Sequence, residues 1–148
     1  QAPGCTPPPD RQRVLAFAQD NRRQFMEGIS YGLSLAARDR NLRYEIAVAD
    51  NDAQKSMDQM RALSAARVGA AVVAPVDPAS LSTLLQQAMV DGTYIGTIVA
   101  PPATTLLNAP QYLTGRVLGD AAAAYIRDNL DGKANVVLLT HDSIQFLT

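Results

Sequence analysis

Between Arg13 and Val99, short apolar runs alternate with longer segments whose apolar residues recur every three or four positions. Few folds accommodate that alternation. A run such as Val14-Leu15-Ala16-Phe17-Ala18 has no polar partner on either face, which suits a parallel strand buried on both sides. Tyr44 to Ala49, Ala70 to Ala74 and Tyr94 to Val99 are the second, third and fourth strands expected. Between them, Phe25, Ile29, Leu33, Ala36 and Ala37 mark one face of a first helix, and Arg38 to Asn41 ends it. Met57, Met60, Leu63 and Arg67 mark a second helix, with Gly69 beyond its end. Leu81, Leu84, Leu85, Ala88 and Met89 mark a third, closed by Asp91-Gly92. Strands alternating with helices of this length imply right-handed crossovers and a parallel α/β sheet.

Two turns carry helix-start signals. Asp50-Asn51-Asp52 can cap the second helix, and Pro75-Val76-Asp77-Pro78 starts the third with an N-cap carboxylate and a proline at the first helical position. N-capping is therefore the reading of both Asp50 and Asp77, in preference to acid–base partnership. The pattern changes at Ala100-Pro101-Pro102, which reads as a lobe boundary. Beyond it come a short strand near Thr105 to Asn108 and a helix from about Arg116 to Leu130. Val117, Leu118, Ala121, Ala122 and Tyr125 line that helix, and a last strand runs from Val136 to Leu139. The expected organisation is a Pro-rich leader over 1–12, an α/β lobe over 13–100, and the incomplete beginning of a second lobe over 101–148. The fold class is α/β, a Rossmann-like parallel sheet flanked by helices.

Composition narrows the function. The net charge of −1 lacks the basic footprint of a nucleic-acid binder. No apolar run approaches the roughly 18 residues of a membrane-spanning helix. Neither G-x-G-x-x-G nor G-x-x-x-x-G-K-[ST] occurs, so no nucleotide cofactor is implied. His141 is the sole histidine, beside Asp142 and Ser143. Triads are assembled from distant segments, and one histidine without cysteine partners makes a poor zinc site. No cofactor, no metal and no enzyme activity are expected. Cys5, the sole cysteine, follows the small residues Ala2-Pro3-Gly4. A lipid anchor suits such a position, and a free thiol in the leader is the plainer alternative. Without an initial Met or a basic-then-apolar segment, the chain reads as an exported form whose signal has been removed.

Four stretches carry a family resemblance. Phe25-Met26-Glu27-Gly28-Ile29 with Gly32, Leu33, Ala36 and Ala37 is one, and Asp50-Asn51-Asp52-Ala53-Gln54 is the second. The third is Gly69-Ala70-Ala71-Val72-Val73-Ala74-Pro75-Val76-Asp77. The fourth is Gly115-Arg116-Val117-Leu118-Gly119-Asp120 with Tyr125-Ile126. In order and spacing they resemble the type I periplasmic sugar-binding proteins (ribose-binding-like) and the related effector domains of LacI-type repressors. The resemblance implies a periplasmic, two-lobed clamp that closes on a small polar, sugar-like solute and delivers it to the membrane permease of an ABC importer. A complete member is about twice as long, so a fragment, or a second chain completing the other lobe, is expected. A LacI-type effector domain and a flavodoxin-like α/β enzyme are the alternatives.

The resemblance also places a ligand site. The loop Gln19-Asp20-Asn21-Arg22-Arg23-Gln24-Phe25 stands where the family supplies polar groups and an aromatic ring. Asp20, Asn21, Arg23 and Phe25 are its ligand-binding candidates, with core packing the alternative for Phe25 and solvation that for Arg22. Paired arginines match carboxylate or phosphate geometry and suggest an acidic solute. Many sugar-binding relatives place an Asp-Arg pair after the fourth strand, where this chain has Val99 and Ala100. That departure weakens the case for an ordinary pentose or hexose. Gln111 and Tyr112, in place of the family's Asp-Asn turn, and His141, after the last strand, complete the candidates.

Overall fold

The computed structural model describes residues 8, 10–98, 102–107 and 111–138. It divides into two compact units, one ending at Leu107 and the other beginning at Asn108. In the first, β1 (Gln12–Gln19), β2 (Arg43–Val48), β3 (Val68–Val73), β4 (Tyr94–Thr97) and β5 (Thr105–Leu106) form a five-stranded sheet in the order β2-β1-β3-β4-β5. Every pairing is parallel. The helices α1 (Gln24–Asp39), α2 (Ala53–Ala65) and α3 (Pro78–Val90) connect successive strands.

Alternation along β1 divides the core. Val14, Ala16 and Ala18 pack with Met60 and Leu63 of α2 and Leu81, Leu85 and Ala88 of α3. Phe17 points the other way and clusters with Met26, Ile29 and Leu33 of α1, Tyr44, Val72 and Ala74. The face of α1 turned to the sheet is therefore Met26, Ser30 and Ala37, flanked by Ile29 and Leu33. Phe25 lies about a quarter turn round the helix from Met26, outside the stripe that the sequence pattern gave it.

Local chemistry explains the joints. Asp77 accepts from the N–H groups of Ala79 (3.1 Å) and Ser80 (3.3 Å), with Pro78 at the first helical position, as expected. Asp52, not Asp50, caps α2 by accepting from the Lys55 N–H at 2.9 Å. The cap falls there because Asp50 and Asn51 both take left-handed conformations (φ 55° and 63°) that turn the chain first. The turn after α2 is likewise made by Arg67 (φ 56°), not by Gly69. Gly69 lies inside β3, where a Cβ would come 2.6 Å from the Gln12 carbonyl oxygen, beside the register shift between β1 and β3. Only glycine admits so close a backbone approach.

The first unit extends past the boundary expected at residue 100, because β5 pairs with β4 and the Leu107 N–H donates to the Thr97 carbonyl at 2.9 Å. In the second unit, α4 spans Gln111–Asn129, starting earlier than the Arg116 expected. Its Val117, Leu118 and Tyr125 are exposed, as are Val136, Val137 and Leu138, which form no strand. The described residues of that unit offer one helix and no second layer against which an apolar face or strand could be buried. Leu139 lies outside the described residues. Among them, no helix is long and apolar enough to cross a membrane.

Phe17 is fully buried between sheet and α1. Phe17→Ala should destabilise the chain by about 3–5 kcal/mol, whereas Ile46→Ala, at a half-exposed position of the edge strand β2, should cost less than about 1 kcal/mol. Urea unfolding measures both, and equal effects would contradict this division of the core.

Candidate functional site

The carboxyl ends of β1, β2 and β3 lie side by side, and backbone hydrogen bonds continue past the strands. The Ala49 N–H donates to the Gln19 carbonyl (2.9 Å), that of Asn51 to Asp20 (2.7 Å), and that of Ala74 to Ala18 (2.8 Å). The loops β1–α1 and β2–α2 are thus stitched together. Side chains tighten the seam. Asn21 is only 6% exposed. Its Nδ2 donates to Asn51 Oδ1 at 3.3 Å, and its Oδ1 accepts from the backbone N–H and the Nε of Arg23, both at 2.9 Å. Asp20 accepts from the Asn21 N–H at 2.8 Å through one carboxylate oxygen and from Arg23 Nη2 at 3.3 Å through the other.

Asp20, Asn21 and Arg23 are therefore brought together, and they bind chiefly one another. Arg22 is an exposed side chain 3.9 Å from Asp50. Asp50 also accepts from Lys55 Nζ at 2.5 Å, and this bond, aided by the charges of Lys55 and Arg22, holds its carboxyl below its ordinary pKa. Phe25 is 67% exposed in the first turn of α1, so its ring is not core. Arg23 occupies the N-cap position of α1 without a side-chain cap, whereas Asp52 and Asp77 cap the other two helices. The first N–H groups of α1 consequently open beside the Phe25 ring.

Other candidates fall elsewhere. Gln111 and Tyr112 open α4 in the second unit, with Tyr112 83% exposed. Val99 and His141 lie outside the described residues, as does Cys5. Two residues at the seam, Gln19 and Asn51, were named in sequence only as parts of the β1–α1 loop and of the Asp50-Asn51-Asp52 turn, not as ligand-binding candidates. Among the described residues, no group of three or more metal-ligating side chains occurs.

A family model, the periplasmic binding protein domain, matches residues 14–144. The chain belongs to that family. No curated protein matches it significantly. Solved structures agree on the fold of this periplasmic binding protein domain. A Caulobacter myo-inositol binding protein, bound to myo-inositol, is similar at 15% identity and a TM-score of 0.69, over 84% of this chain and 44% of that one. A periplasmic ribose ABC transporter protein from Conexibacter woesei shares 20% identity and a TM-score of 0.66, over 80% and 40%. A 5-methylthioribose transporter solute binding protein from Thermotoga lettingae shares 18% and 0.69, over 77% and 38%. The chain spans less than half the length of these relatives.

The lowered Asp50 pKa fixes the sign of a pH effect. A carboxyl whose pKa is depressed on folding adds stability above its unfolded value, lost as pH falls through the folded one. Asn tolerates the left-handed backbone of Asp50 as well as Asp does. The stability lost in Asp50→Asn should therefore be present near neutrality and shrink towards zero below about pH 4. Urea midpoints of both proteins across pH test this, and a difference independent of pH would refute it.

Proposed function

We propose that this chain is the solute-recognising part of an ABC importer's periplasmic binding protein, and that it takes a small, neutral, polyhydroxylated solute. The observation that carries the reading is the pre-formed seam at the carboxyl ends of β1 and β2, with the exposed Phe25 ring and uncapped α1 start beside it. An aromatic face suits the C–H side of a sugar-like ring, and free backbone N–H groups suit hydroxyl oxygens. Solved relatives bound to or named for myo-inositol, ribose and 5-methylthioribose support this ligand class.

Charge favours a neutral solute over the acidic one suggested by paired arginines. The Arg23 fork already donates to Asn21 and Asp20, and Arg22 shares Asp50 with Lys55. An anion at either guanidinium would compete with these carboxylates for part of the positive charge. On this reading Gln111, Tyr112 and His141 are further candidate contacts, resting on the family resemblance alone, and catalysis is not involved. The protein would act after export, in the periplasm. An ABC permease would be the receiving partner.

Calorimetry with myo-inositol, D-ribose and 5-methylthioribose, against galacturonate and gluconate, tests the proposal. A neutral compound should bind, and Phe25→Ala should weaken it at least tenfold, or about 1.4 kcal/mol. Preference for an acid would overturn the charge argument, and unchanged affinity in Phe25→Ala would remove the ring from the site.

A further inference from the structure

Gln19, the last residue of β1, is a polar side chain only 2% exposed. Its Nε2 donates to the Asn21 carbonyl at 3.0 Å and to Glu27 Oε1 at 3.3 Å. Reversing the amide would set its oxygen against two acceptors, so this orientation is dictated by its neighbours. The Gln19 Oε1 is then buried and has no hydrogen-bond partner. An unsatisfied buried acceptor costs stability, and an apolar side chain of similar size would avoid the cost. What the amide contributes beyond packing is therefore its two donated hydrogen bonds.

We propose that Gln19 is the positioning residue of the solute site. This rests on the reading of the β1–α1 loop as that site. One amide group holds the two ends of the loop that the solute must meet. Through the Asn21 carbonyl it sets the backbone from which Asn21 reaches Asn51 and Arg23. Through Glu27 it ties down the first turn of α1, whose Glu27 N–H donates to the Arg23 carbonyl at 3.0 Å and which carries Phe25. Gln19 touches the solute in neither role. It fixes the distance between the seam and the ring.

The test is Gln19→Met, close in length but without donor or acceptor. Affinity for myo-inositol and D-ribose is measured together with thermal midpoint and residue-resolved amide exchange. Positioning predicts at least a tenfold loss of affinity with the thermal midpoint unchanged or raised. It also predicts faster exchange at the Arg23 and Asn51 amides, which hydrogen-bond to Asn21 Oδ1 and to the Asp20 carbonyl, with Phe17 and Val72 unaffected. Unchanged loop exchange would overturn the proposal. So would a lower midpoint with faster exchange throughout the sheet, which would make Gln19 an ordinary core residue. If the unsubstituted protein binds neither probe nor 5-methylthioribose, the solute reading fails, and loop exchange alone decides the role of Gln19.

Discussion

β1 is hydrogen-bonded along both edges, to β2 on one side and β3 on the other, and its side chains enter the cores on both faces of the sheet. A strand so placed cannot shift by one residue without sending Phe17 to the α2–α3 side and Ala16 and Ala18 to the α1 side. Because its register is fixed, its carboxyl end is fixed too. The Gln19 and Asp20 carbonyls then serve as acceptors for the next loop at Ala49 and Asn51. The geometry of the site is thus an extension of strand pairing, and only its last few contacts depend on side chains.

Where burial decides structure, the sequence was easily read. Apolar runs located β1 to β4 within a residue or two at most ends, even β2, which lies at the sheet edge and has no fully buried residue. Asp77 with Pro78 was equally legible, because cap and fixed φ act locally. Misreadings arose where several residues could do the same local task. Asp50, Asn51 and Asp52 can each cap or turn, and the hydrogen bond from the Asn51 N–H to Asp20, in a different loop, accompanies the turn that leaves capping to Asp52. Gly69 looked like a helix terminator until β1 came close enough to require a residue without Cβ. Gln19 had no local signal, since its partners lie on the following loop and helix.

The apolar run at Val136 shows the opposite limit. A strand in a parallel sheet exists only through its neighbours, and the described part of the second unit offers none. Hydrophobicity there expresses a demand for burial that the described residues do not meet. α4 needs less, because its hydrogen bonds are internal, and so it forms with its apolar residues exposed.

The β1–α1 loop is polar and charged, yet most of its polar groups are already engaged. Such self-satisfaction would lower the entropy lost on binding at the proposed site, since Asn21 and Arg23 are already held. Beside it stand groups that are directional but uncharged, the first backbone N–H groups of α1 and the Phe25 ring face. A site of that kind gains little from a solute's charge and much from its shape. Discrimination would then follow from the fixed separation between the Asn21–Asn51 seam and the Phe25 ring, which the buried Gln19 amide spans.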